Sequence, residues 1–171
     1  VLDQCHADED QHPMSVAFRR ESDDEHLEPT FELPIPPGPN LVTARGLAQI
    51  QERHDAIEAV LAGELSEEER KKVLRDARYW RQRLASAQVA PAADGKRVAF
   101  GTRVTFIRDG AERTVELVGH DEADPGADRI AFTAPLARAL MGAEVGEEVE
   151  FAGSDEPLEV VAIAMSADEA R

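Results

Sequence analysis

The sequence predicts an α+β fold: an antiparallel helical hairpin followed by an antiparallel β-sheet domain that carries one short helix. Three observations predict it. Leu47, Ile50, His54, Ile57 and Leu61 recur at alternating spacings of three and four, the stripe of one helix seam. Val73, Ala77, Trp80, Leu84 and Ala87 form a second stripe that mirrors the first. From Val98 onward the apolar residues alternate with period two, the mark of half-buried strands.

Residues 1–40 read as a disordered leader, acidic and proline-rich. Asp8-Glu9-Asp10 and Glu21-Ser22-Asp23-Asp24-Glu25 carry charge without apolar periodicity, and Pro34, Pro36, Pro37 and Pro39 favour extended backbone. Phe31, Leu33 and Ile35 alternate, which suits a strip lying along a domain edge, and Met14 is an alternative start. Cys5, His6 and His12 lack a paired cysteine motif and do not read as a metal site.

Residues 41–91 read as the hairpin. Thr43 is the expected N-cap of the first helix. The two stripes face each other in order, Leu47 against Ala87 through Leu61 against Val73, which centres the fold-back on Glu67. Gly63 suits a left-handed helix end, and Ser66 with Glu69 reads as a capping box. The helices run to about Ala90, where Pro91 stops the second and Ala92-Ala93-Asp94-Gly95 forms a link. His54 reads as a core histidine stacked on Trp80, and Tyr79 as packing. The tip, Gly63-Glu64-Leu65-Ser66-Glu67-Glu68, is acidic.

Residues 97–165 read as the β domain and 166–171 as a frayed tail. Val98 and Phe100 open it, Val104 and Phe106 mark a strand face, and Asp109-Gly110 predicts a tight hairpin turn. Val115 and Leu117 follow, then an acidic loop from Asp121 to Asp128, then a strand with Ile130 and Phe132. Pro135 fits the first turn of a helix bearing Leu136, Leu140 and Met141 and closed by Gly142. Val149, Phe151, Leu158, Val160, Val161 and Ile163 complete the sheet.

The net charge of −16 argues against free nucleic acid as the main partner. The second helix runs against that trend, with Arg70, Lys71, Lys72, Arg75, Arg78, Arg81 and Arg83 reading as a solvated helix face or, alternatively, as a basic strip that touches a polyanion near the tip. No apolar run approaches the roughly 20 residues of a membrane span. The first residues lack the pattern of a signal peptide, and one cysteine makes no internal disulfide, so the expected compartment is the reducing cytoplasm.

Val98-Ala99-Phe100-Gly101, Val118-Gly119-His120-Asp121-Glu122-Ala123-Asp124 and the run from Ile130 to Gly142, taken in that order, together resemble the GreA/GreB family of transcript-cleavage factors over about residues 43–164. Val98-Ala99-Phe100-Gly101-Thr102-Arg103-Val104-Thr105 looks like the family's entry into its C-terminal domain. Val118-Gly119-His120-Asp121-Glu122-Ala123-Asp124 resembles its VGxDEAD segment. The run from Ile130 to Gly142 resembles its segment around SPLarALiG, and Val145-Gly146-Glu147-Glu148-Val149 the vGDxV that follows. The resemblance implies an FKBP-like C-terminal domain that docks on RNA polymerase and a coiled-coil arm that enters the polymerase secondary channel as a monomer. Family members carry GDLSEN at the tip, which maps its two acidic positions onto Glu64 and Glu67. It implies that these carboxylates complete the shell of a second Mg²⁺ shared with polymerase, with no cofactor of the chain's own and the chemistry in the polymerase active site. Glu68 stands where the family has Asn, and Lys71, Lys72, Arg75 and Arg78 are candidates for contact with RNA.

Three departures stand out: Glu64 replaces Asp, Ala134 replaces the Ser before Pro135, and the arm is short. Thr43 to Glu67 spans roughly 36 Å at ~1.5 Å per residue, a length reminiscent of the shorter-armed relative Rnk. The alternatives are a non-cleaving, Rnk-like polymerase regulator that competes for the channel and, remotely, an FKBP-like peptidyl-prolyl isomerase. The domain's aromatics Phe100, Phe106, Phe132 and Phe151 all read as core, which disfavours the isomerase.

Overall fold

Thr43 starts the first helix as its sequence position predicts: its hydroxyl accepts a hydrogen bond from the Gly46 amide at 2.9 Å. In the computed structural model, which describes residues 32–152 and 155–166, that helix is α1, Ala44–Leu61, and its partner is α2, Glu67–Ser86. The expectations placed on residues 1–31, including the metal-poor reading of Cys5, His6 and His12, lie outside the described residues.

The two helices run antiparallel, joined by the turn at residues 62–66. Ile50 and Ala77 are buried and the other seam positions are half-buried, because a two-helix layer has no third element to cover it. Arg81 crosses to Glu58 on the opposite helix through two hydrogen bonds of 2.6 and 2.8 Å. The cation over the Trp80 ring is Arg53, at 5.7 Å, and Tyr79 meets the same ring edge-on. His54 turns to its own helix instead, with Nδ1 2.9 Å from the Asp55 carboxylate, so the expected stack of His54 on Trp80 is corrected.

The helix ends differ from expectation in two ways. Gly63 is not left-handed. Helix α1 closes on Ala62, at φ −74°, and the Gly63 amide bonds Val60 O at 3.1 Å in a tightened last turn, so no positive φ is needed. Helix α2 stops at Ser86 rather than near Ala90, and Ala87–Val89 forms strand β2. Its partner is β1, Asn40–Val42, paired in parallel as Asn40 with Ala87 and Val42 with Val89. Asn40, assigned from sequence to the leader, is therefore buried.

The second layer is a five-stranded sheet in the order β5-β4-β3-β7-β6. Its strands are β3 (Thr102–Arg108), β4 (Ala111–Val118), β5 (Arg129–Ala131), β6 (Glu148–Val149) and β7 (Leu158–Met165). Asp109 and Gly110 both take positive φ, 49° and 72°, as a tight turn between β3 and β4 requires. The sheet is mixed rather than antiparallel: β4 and β5 pair in parallel, Glu116 with Arg129 through Val118 with Ala131. The intervening segment supplies the crossover that parallel pairing needs. It contains two 3₁₀ turns, His120–Glu122 and Pro125–Ala127.

Helix α3, Pro135–Leu140, covers one face of the sheet and starts at Ala134 with no side-chain cap. Beneath it lies the core: Val98, Val104, Phe106, Leu117, Ala137, Leu140, Leu158 and Val160. Phe100 and Phe132 fall in turns rather than strands and pack edge-on at 5.5 Å, with His120 against the same Phe132 ring. Ser166, assigned to a frayed tail, is buried, with its amide bonded to Gly101 O at 3.1 Å.

Candidate functional site

The tip is built by its cap. The Ser66 hydroxyl accepts from the Glu69 amide at 3.3 Å, and the Glu69 carboxylate accepts from the Ser66 amide at 3.0 Å and its hydroxyl at 2.6 Å. These bonds, the hydroxyl's first, hold the Glu69 carboxyl below its ordinary value. Glu69 is thereby committed to structure. Glu64, Glu67 and Glu68 are exposed, and no hydrogen bond or ion pair among the described residues engages their side chains. The first-turn amides of α2 lie beside Glu67 and Glu68, a favourable position for negative charge.

Carboxylate oxygens are the donors that Mg²⁺ prefers. No group of three or more metal-ligating side chains among the described residues is arranged to hold an ion.

The basic strip is less uniform than its sequence. Lys71 and Lys72 are exposed and Arg75 is half-buried. Arg78 is engaged bidentately by Glu32, with its Nε 3.2 Å from one carboxylate oxygen. Arg83 does not belong to the strip at all: its side chain is only 2% exposed.

Arg83 instead enters a buried polar cluster at the hairpin base. Its Nε donates to Asp121 at 2.6 Å, and its Nη2 donates to Asn40. The Tyr79 hydroxyl donates to the other Asp121 oxygen at 2.6 Å. The next residue, Glu122, turns to α1, accepting from the Thr43 hydroxyl at 2.7 Å and from Arg45 Nε at 2.6 Å. Arg45 also reaches Glu116 on β4 at 2.8 Å, where the Ser166 hydroxyl donates to the same carboxylate oxygen. Within the acidic loop, the Asp121 and Glu122 side chains are thus 8% and 2% exposed, and each meets a guanidinium.

Sequence reasoning missed this cluster. The available signal was the position of Arg83 between Trp80 and Leu84, beside the seam, where a solvated arginine is misplaced.

The cluster is tightly built. A Cβ on Gly46 would sit 2.6 Å from Glu122 Oε2, and one on Gly119 would sit 2.6 Å from Leu41 O. An alanine ordinarily gains about 1 kcal/mol over glycine inside a helix. Gly46→Ala should reverse that sign and cost about 1–3 kcal/mol, read as a lowered urea midpoint with unchanged slope.

Burial, then the bond to Asp121 and its charge, push the Tyr79 hydroxyl from 10.0 to about 12. The neutral phenol is the form the fold prefers. Its stabilisation is complete below pH 10 and lost as pH rises from about 10 to 12. The thermal midpoint should fall over that window in the native sequence, and Tyr79→Phe should remove this part of the fall. At the acid end, burial opposes the Glu116 charge, but the Ser166 hydroxyl and Arg45 outweigh it and hold the carboxyl below 4.5. That contribution is present above the unfolded value and is lost as pH falls below it.

Residues 92–165 match the family model described as the C-terminal domain of the transcription elongation factors GreA and GreB. The matched stretch contains the turn His120–Glu122 and α3, but neither the tip nor the strip. The chain is 37% identical over 73 residues to the transcription elongation factor GreA of Sinorhizobium medicae, covering 40% of this chain and 46% of that protein. It is 37% identical over 89 residues to GreA of Methylobacterium nodulans, covering 48% and 56%. The match spans about half the length of these curated relatives. Among solved structures, the GreA factor homolog 1 (Gfh1) of Thermus thermophilus aligns at 18% identity and a TM-score of 0.36, over 74% of this chain and 99% of that one.

Proposed function

We propose, from the match of residues 92–165 to the C-terminal domain of GreA and GreB, that the chain is a member of that family and an accessory factor of RNA polymerase in the cytoplasm. The single observation that carries the reading is the tip: Glu64, Glu67 and Glu68, unpaired among the described residues, at the far end of a helix pair joined to that domain. In this reading the helix pair is the family's coiled-coil arm and the sheet domain its FKBP-like partner. The domain docks on polymerase as a monomer, and the arm enters the secondary channel.

Glu64 and Glu67 are the residues that would add oxygens to a Mg²⁺ shared with polymerase. When bound, that ion supplies a water activated for in-line attack on the RNA backbone. The chain's own part is to bring carboxylates to that place and hold them there by the Ser66 cap. Glu68 adds negative charge, and Lys71, Lys72 and Arg75 are placed along α2 to meet RNA phosphates. Arg78 joins them only by giving up Glu32.

A second reading has its own observation. Helix α1 has 18 residues, about 27 Å at 1.5 Å per residue, which favours a Rnk-like factor that occupies the channel without cleaving. The isomerase reading is weaker still, since Phe106 is in the core and Phe100 and Phe132 pack on each other.

The test is a stalled, backtracked polymerase complex incubated with the purified chain. Co-migration with polymerase and shortening of the extruded RNA are expected. Co-migration and displacement of a longer-armed factor without shortening would establish the second reading. Absence of co-migration would end both.

A further inference from the structure

The junction between the helix pair and the sheet domain is held in an unusual way. The apolar core lies wholly in the sheet domain and contains no residue of α1 or α2. The buried apolar residues of the hairpin side are Val42, Ile50 and Ala77. The covalent connection is single, through residues 90–101 between β2 and β3. A helix pair tied on by one strand of chain, with little shared apolar core, is free to pivot unless directional contacts stop it.

Apart from the bond of Arg45 to Glu116 on β4, those contacts converge on one turn. Within His120–Glu122, neighbouring carboxylates point to different helices. Asp121 grips α2 through Arg83 and Tyr79, and Glu122 grips the start of α1 through Thr43 and Arg45. The Asp121 and Glu122 side chains are 8% and 2% exposed, so these bonds are shielded from solvent screening. Charge-assisted bonds fix direction as well as distance. Two grips on two helices remove rotation about either one.

We infer that Asp121 and Glu122 are positioning residues that aim the helix pair, so that the orientation of the tip relative to the C-terminal domain is set by this two-way polar clamp rather than by apolar packing. The use of that aim at polymerase rests on the function proposed above. The lever is long enough for the clamp to matter. A tilt of about 10° at the base of an arm of about 27 Å displaces its tip by about 5 Å, and misplacement of a reacting group by about 1 Å can cost 10²-fold in rate. Buried ionic groups are of uncertain worth to stability, and fixing one geometry among several is a use they are known to serve.

The clamp is tested in the full chain without polymerase, so its failure is separate from failure of the functional reading. With Cys5→Ser, spin labels at Ala62→Cys near the tip and Glu112→Cys on β4 report the tip-to-domain distance by dipolar spectroscopy. Both labelled positions are exposed. The background chain should give one narrow distribution. Asp121→Asn with Glu122→Gln, which keeps shape and removes charge, should widen it at least about twofold. Glu144→Gln, which breaks the exposed Arg97–Glu144 pair, should leave the width unchanged. Far- and near-ultraviolet circular dichroism establishes that each variant is folded. An unchanged width in the folded double variant overturns the inference, as does equal widening by Glu144→Gln. If the double variant does not fold, Glu122→Gln alone decides by the same criterion.

Discussion

Replacing Arg83 by methionine should destabilise the chain by about 3–5 kcal/mol, because it removes one member of a buried ion pair and leaves the other uncompensated. Arg83 is 1% exposed, and its guanidinium satisfies both the Asp121 carboxylate and the Asn40 side-chain oxygen. Methionine fills much of the same volume, so the loss isolates the charge rather than a cavity. A cost of that size lowers the melting temperature of a domain of this length by on the order of 10–15 °C. Calorimetry on Arg83→Met checks it. The companion measurement is the double variant Arg83→Met with Asp121→Leu, which should recover most of the loss, since a buried pair replaced by apolar groups is often neutral. A loss below about 1 kcal/mol for Arg83→Met would mean that water reaches Asp121 and that the pair behaves as an exposed one.

The second large effect is on chemistry rather than stability. Glu64→Ala with Glu67→Ala should leave the melting temperature nearly unchanged, since exposed, unpaired side chains contribute within about ±0.5 kcal/mol. In the proposed function the same variant should lose stimulated RNA cleavage by about 10- to 100-fold or more, the range that follows loss of groups supporting a metal. Polymerase co-migration should persist, because the C-terminal domain is untouched. Gel analysis of RNA from backtracked complexes reads both arms. Cleavage by the alanine variant at the native rate would remove these carboxylates from the mechanism. Restoring Glu64 alone, with Glu67→Ala kept, tests whether one carboxylate suffices.

Periodicity made the hairpin legible. Ile50 and Ala77 lie on the predicted stripes and are buried, and the Ser66–Glu69 capping box forms as its spacing predicts. These features are local or involve neighbours in sequence, so short-range spacing encodes them. The same holds for the Asp109-Gly110 turn and for Pro135 opening α3. The tip carboxylates were legible for the same reason: the turn is a consequence of two helix ends.

What sequence did not reveal involves residues far apart in the chain. Arg83 looked like part of a basic strip because charge patterning cannot tell a solvated arginine from one facing a distant carboxylate. Asp121 and Glu122 looked like an acidic loop for the same reason. The parallel pairing of β4 with β5 and of β1 with β2 also escaped, since strand periodicity is identical for either direction.

The sequence by itself therefore determined the helix pair and the sheet, the caps that open both helices, the acidic tip and the resemblance of the C-terminal domain. Each rests on side chains within a few residues of one another or on an ordered set of motifs. Only the tertiary structure decided which charges are buried, how the sheet strands are directed and what ties the hairpin to the domain beside it. The buried charges depend on a guanidinium and a carboxylate meeting across 38 residues of chain. Such a meeting lowers the cost of burying both charges and leaves no periodic trace in the sequence.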